Sequence, residues 1–297
     1  MASRAIERTR DGADLTPRRT PPRGLLGRRR GRPFRLARYE PSEDLAWCLE
    51  HHWTVTWDVA DDEQSVSQVL PSPNVNISYT AGRLNVTGVM GQVFSHPITG
   101  TGWVYGMKFH PGGVRPFVPF DVRRLSDVSQ PATEVWPHAA GLRAAVEVAG
   151  PPDDDAAVGR LVAAGEDFLR SFDVTPDPAV PTVRELTHRL LTDPTVRRVT
   201  DVCDTGVEQR TLQRLFRSYV GVTPRWVLQR GRLHLAAERV TDHAETGEGP
   251  GWAELAVDLG YADQAHFIRD FRRVVGQTPA AYASALAEPA DDASRSI

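Results

Sequence analysis

The chain has 297 residues, 40% of them hydrophobic and 25% charged, which is enough to bury a core and to fill two domains of ~100 to 200 residues each. No apolar run reaches the ~18 to 20 residues of a membrane span, and the Arg-rich start lacks the apolar stretch of a secretion signal; a soluble, cytoplasmic protein without membrane association is expected. The two cysteines, Cys48 and Cys203, are too few and too far apart for a disulfide framework or a zinc cluster.

The net charge of −3 hides a polarised chain: the first 33 residues hold ten arginines against Glu7, Asp11 and Asp14, a net of +7. The remainder therefore carries −10. Such a Pro- and Arg-rich stretch cannot offset its ordering entropy by apolar burial, so residues 1–34 read as a disordered basic arm, either a DNA-contacting arm or a low-complexity extension.

From 35 to about 137 the pattern alternates. Asn74-Val75-Asn76-Ile77-Ser78-Tyr79 and Leu84-Asn85-Val86-Thr87 flank a turn at Ala81-Gly82, and "HHWTVTW" and "GWVYGMKF" add two more strands. This predicts a β-rich domain, barrel-like or sandwich-like, over 35–172. Its trailing helix carries Val158, Leu161, Val162, Phe168, Leu169 and Phe172 on one apolar face, suited to packing within the domain or to a homodimer. His51, His52, His96 and His110 do not form a metal-ligand pattern, since adjacent strand histidines point to opposite faces. Trp53, Trp57, Tyr79, Trp103 and Phe109 read as core aromatics, some of which could line a small-molecule pocket. No phosphate-cradling Gly loop and no Gly-x-Ser-x-Gly occurs, so neither a catalytic residue nor a metal or other cofactor is assigned. Gly112 and Gly113 predict a turn that needs positive φ or close backbone approach.

Residues 173–181, with three prolines, read as a linker. Beyond it the period is 3.6, and helices are expected over 181–191, 199–204, 208–220, 224–241, 253–259, 264–275 and 279–286, with 287–297 a disordered tail. Within this all-α region a phrase is spelled twice, "TLQRLFRSYVGVTP" from Thr211 and "HFIRDFRRVVGQTP" from His266, every matched position 55 residues apart. Thr223-Pro224 and Thr278-Pro279 are each a capping residue followed by proline at the first helical position.

In the first copy Leu212, Phe216 and Tyr219 share one helix face, and Arg210, Gln213, Arg214 and Arg217 the opposite one. Long donors in a row on a short helix after a tight turn can hydrogen-bond base edges in a major groove. In the second copy Phe267, Phe271 and Val274 are the buried face, and the row becomes Ala265, Ile268, Arg269 and Arg272. Gln264 and Arg269 could read bases, Ala265 and Ile268 could touch thymine methyls, Arg272 a phosphate, and His266 a base, a phosphate or its own core. Thr211 lies beside the first row. Arg210, Arg214, Arg217, Arg225, Arg230 and Arg232 against Glu208 give +5 over the first reader and the connecting helix. Trp226 and Trp252 read as core aromatics joining the units.

"RTLQRLFRSYVGVTP", "RLHLAAERV" and "LAVDLGYADQAHFIRDFRRVVGQTPAAY" together resemble the DNA-binding domain of AraC/XylS-type transcription regulators, here 182–286. "VLPSPNVNISY", "VTGVMGQ" and "GWVYGMKFHPGGVRPF" resemble the front domain of one subgroup of them. The resemblance implies two helix-turn-helix units joined by a long helix, and double-stranded DNA as partner. RNA polymerase, a small-molecule effector and a second copy of the chain are further candidate partners, with the front domain serving effector binding or dimerisation. Glu208 departs from the usual Ser or Thr at the start of the first reader; it either answers Thr205 in a capping box or marks a weaker start. The rival reading is a ligand-binding or enzymatic front domain with a secondary or degenerate DNA-binding module.

Overall fold

The computed structural model describes residues 17, 24–27, 34–60, 65–205, 208–246 and 251–287; the rest of the basic arm and the tail from 288 lie outside them. The front domain is built on antiparallel strands β1 (Phe34–Tyr39), β2 (Leu49–Asp58), β3 (Ser65–Val69), β4 (Asn76–Thr80), β5 (Arg83–Thr87), β6 (Phe94–Ile98), β7 (Thr101–Phe109) and β8 (Ser129–Pro131). Six of them form a sheet in the order β1-β2-β7-β4-β5-β8, and β3 pairs with β6 as a separate ribbon. The β-rich domain is thus an open sheet with a flanking ribbon, not a closed barrel.

Helices α1 (Ala132–Val135), α2 (Ala139–Ala149) and α3 (Asp155–Arg170) follow. The Asp154 side chain caps α3 by accepting from Ala157 N–H at 2.6 Å. Leu161, Phe168 and Leu169 of α3 join one core with Leu142 and Val146 of α2 and with Ile77, Tyr105, Met107 and Phe109 of the sheet. The apolar face that could have served a dimer is therefore spent inside the domain, where Val158 and Val162 pack on Tyr39.

Among this packing α3 buries a charge. Glu166, 1% exposed, accepts from the Ser42 N–H at 2.7 Å and from its hydroxyl, stands 3.4 Å from His52 Nε2, and accepts from Arg170 at 3.2 Å. His52 Nδ1 is 2.9 Å from the Tyr105 hydroxyl. A buried carboxylate survives because every lone pair is met.

The expected turn at Gly112-Gly113 has both physical reasons at once. Gly112 takes φ 86°, and a Cβ on Gly113 would lie 2.1 Å from the Cys48 carbonyl oxygen.

The C-terminal region is helical: α4 (Ala179–Thr192), a 3-10 helix Val199–Thr205, α5 (Gln209–Leu215), α6 (Pro224–Thr246), α7 (Trp252–Asp258), α8 (Gln264–Val275) and α9 (Pro279–Ala287). α4 begins inside the expected linker, with Pro181 in its first turn, where an absent N–H costs nothing. The 199–204 segment is 3-10 rather than α, and α6 runs five residues further than its pattern indicated. Two cores form along it. Val183, Leu186, Leu190, Val202, Leu212, Phe216 and Val227 make the first. Leu233, Ala236, Val240, Leu255, Phe267, Phe271 and Tyr282 make the second.

Candidate nucleic-acid interface

Both cores orient a reader helix. In α5 Leu212 and Phe216 are fully buried, and this turns Arg210, Gln213, Arg214 and Arg217 outward, all four exposed; Thr211 is half-buried. In α8 Phe267 and Phe271 are fully buried, and Gln264, Ala265, Arg269 and Arg272 are exposed. Ile268 is half-buried against the second core, which leaves only part of its side chain for a base. His266 is half-buried with its ring edge-on to Tyr261, centroids 5.3 Å apart, so packing claims most of that side chain.

Each unit is started and stopped by the same devices. Thr223 Oγ1 accepts from Trp226 N–H at 3.1 Å, and Thr278 Oγ1 accepts from Ala281 N–H at 3.2 Å. The preceding turns end in left-handed glycines, Gly221 at φ 92° and Gly276 at φ 87°. The two readers begin differently. Asp263 caps α8, its carboxylate accepting from His266 N–H at 2.7 Å, a signal present in "ADQAHF" but not singled out. Glu208 is itself the cap residue of α5 and its side chain makes no capping hydrogen bond to that helix, the weaker of the two expected starts; the Thr205 side chain of the alternative box lies outside the described residues.

α6 carries 23 residues, roughly 34 Å at ~1.5 Å per residue. Not all of its arginines face outward. Arg230, 6% exposed, donates to the Gly91 carbonyl of the front domain and stacks over Trp226 at 4.7 Å. Burial pushes its guanidinium down to about 10, with Arg273 adding to the shift and Asp270 opposing it. Arg232 donates to the Arg197 carbonyl at 2.7 Å and lies over Tyr261. The +5 counted for this surface is correspondingly smaller, because position along the helix rather than residue type decides which charges reach solvent. Trp226 and Trp252 pack against the first and second core respectively.

Residues 202–285 match the family model of a helix-turn-helix domain. The C-terminal unit is an AraC-type helix-turn-helix domain. Ahead of this AraC-type unit, residues 37–131 match a domain of unknown function (DUF6597). No curated protein matches the chain. Among solved structures the chain is similar to ToxT from Vibrio cholerae, at 13% identity and TM-score 0.40 over 86% of this chain and 100% of that one. It is also similar to unsaturated fatty acid bound ToxT from Vibrio cholerae strain SCE256, at 12% identity and TM-score 0.37 over 90% and 96%. The xylose-binding transcription activator xylR is matched at 17% identity and TM-score 0.29 over 45% of this chain and 40% of that one.

In the front domain an open cleft of about 330 Å³ lies between the ribbon and the main sheet, lined by Trp57, Thr80, Arg83, His96 and Pro97. His51 is 3.4 Å from Glu50 and His52 faces Glu166, so these neighbours serve separate clusters. No group of three or more His, Cys, Asp or Glu suited to a metal occurs among the described residues, and no helix among them is long and apolar enough to cross a membrane.

Proposed function

We propose that the chain is a sequence-specific, DNA-binding transcription regulator acting in the cytoplasm, with α5 and α8 entering successive major grooves of one duplex. The observation that carries this is the repeated unit itself: two reader helices with opposed buried and exposed faces, joined by α6, whose length is close to the ~34 Å between groove faces on one side of B-DNA. Arg210, Gln213 and Arg214 hydrogen-bond base edges, with Thr211 beside them and Arg217 on a phosphate. The second reader contributes Arg269 and Gln264 to bases, Ala265 and the exposed part of Ile268 to thymine methyls, and Arg272 to a phosphate, with His266 supporting from its edge. The first unit thus sets most of the discrimination, each bidentate pair giving ~1 to 3 kcal/mol. The front domain, docked on this unit, is the effector or dimerisation module, and the Trp57–Arg83 cleft is the place for a small effector; contact with RNA polymerase belongs to the same reading.

Selection of binding sites from random duplexes tests the division of labour. Arg210→Ala and Arg214→Ala should each relax the preference in one half of the site by about tenfold or more, and Ile268→Ala much less in the other half. A larger loss from Ile268→Ala would overturn it.

A further inference from the structure

The duplicated phrase provides an internal control. Phe216-Arg217-Ser218-Tyr219-Val220-Gly221 answers Phe271-Arg272-Arg273-Val274-Val275-Gly276. The second segment stays α-helical to its end, and Gly276 N–H donates to the Arg272 carbonyl, four residues back, at 2.9 Å. The first does not: Phe216–Val220 is a π turn, and Gly221 N–H reaches the Phe216 carbonyl, five residues back, at 2.8 Å. Both begin Phe-Arg, both end Val-Gly, and both stop on a left-handed glycine. The shared ends and the stop residue therefore do not account for the difference.

Cover does. Gly276 is exposed, and a Cβ there would meet nothing within 4 Å. Gly221 is buried, and a Cβ on it would lie 2.8 Å from Ser126 Oγ and 3.1 Å from the Val122 carbonyl oxygen. The front domain also bonds this turn at two points. Ser126 Oγ donates to the Gly221 carbonyl at 2.8 Å, and the Ser218 hydroxyl donates to Asp121 at 2.8 Å while accepting from Arg115 Nε at 3.4 Å. Where unit one has the short Ser218 under this cover, unit two has the long, exposed Arg273.

We propose that the front domain is a positioning element for the first reader: by gripping Ser218 and Gly221 it holds the end of that helix as a π turn and so sets where Arg217 stands relative to Arg210, Gln213 and Arg214. An i→i+5 loop takes more residues per turn than an α-helix, so each residue advances by less than the usual 100°. Arg217, the second residue of the turn, should therefore stand short of the bearing that its counterpart Arg272 holds in α8. Docking at Ser218 and Gly221 and the contact pattern of the first reader are one equilibrium, and no bond of this dock reaches α8. This rests on the DNA-binding reading for its consequence, although the grip itself does not.

The test compares full-length protein with Ser218→Arg, which copies the second unit's residue into the dock, and with the pair Asp121→Ala and Ser126→Ala, which removes the two 2.8 Å bonds without adding bulk and leaves only the 3.4 Å one from Arg115 Nε. Amide hydrogen exchange over 216–221 should rise by roughly tenfold or more in both variants while that of 271–276 stays as in the wild type. Site selection should then change in the half read by α5 and not in the half read by α8, and Arg273→Ser should alter neither readout. Unchanged exchange at 216–221 in the alanine pair overturns the grip, even if Ser218→Arg unfolds the chain. Raised exchange with an unaltered selected sequence, or with both halves altered alike, overturns the positioning role. If wild-type protein selects no duplex, the DNA-binding reading fails, and the exchange measurement still decides whether the front domain holds the π turn.

Discussion

Glu166 shows how much one side chain can hold in place. Burial alone would raise its pKa, but the hydrogen bonds from His52 and from the Ser42 hydroxyl and N–H outweigh it and hold the carboxyl at about 2, against an ordinary 4.5. A carboxylate depressed on folding stabilises the protein above its unfolded value and loses that contribution as pH falls from about 4.5 toward 2. Glu166→Ala leaves His52 and Ser42 facing a void, so it should cost about 3 kcal/mol at pH 7. The gap from wild type should shrink by pH 3, as measured by urea unfolding at the two pH values. Such a residue was not legible in the sequence, where Glu166 is one polar position on a helix whose apolar face dominates the pattern. Arg230 was misread for the same reason: its role depends on the Gly91 carbonyl, 139 positions away in the chain. Gly112 was legible because its positive φ is a local constraint, whereas the one on Gly113 comes from the Cys48 carbonyl, far off in the chain.

At the scale of elements, what could be read was what repeats. The 3.6 period, the Thr-Pro starts and the Gly stops located both units, and burial of Leu212, Phe216, Phe267 and Phe271 follows from that period. The caps should be equivalent in energy: Thr223→Ala and Thr278→Ala are each expected to cost about 1 kcal/mol in equilibrium unfolding, the loss of one satisfied N–H at a helix start. Elements set by distant partners escaped. Strands β3 and β6 exist by pairing with each other across an intervening hairpin, β8 is three residues long, and α2 offers only Leu142, Val146 and flanking alanines as a buried stripe. The π turn is the clearest case, because its twin in unit two begins Phe-Arg and ends Val-Gly as it does and folds otherwise.

For the molecule as a whole, the front domain touches both units. Besides the dock at Ser218 and Gly221, His234 Nε2 of α6 lies 2.8 Å from the Pro71 carbonyl, and Gly27 N–H donates to the Tyr282 hydroxyl at 3.1 Å. Residues 24–27, within the stretch expected to be a disordered arm, run between β3 and the second unit, with Leu26 buried beside Leu70 and Leu233. Replacing Arg230 by methionine keeps the bulk over Trp226 and removes the bond to Gly91; cleavage by a protease at the domain junction should then speed up severalfold relative to wild type, since the local opening it reports becomes cheaper.

The same α6 that carries Arg230 and His234 also spaces the readers, and its allowed lengths are therefore discrete. One alanine inserted after Gln229 would swing everything downstream by 100° about the axis while adding only ~1.5 Å of reach. Each reader unit would keep its own core, while Arg230 and His234 would lose their bonds to the front domain and the two units would disagree about which side of the double helix they occupy. Affinity for the wild-type site should fall by at least about a hundredfold, with helical content by circular dichroism preserved. Evolution of new operator spacing in such a molecule has no small step available along this rod; it must proceed by changing which bases the existing fingers prefer.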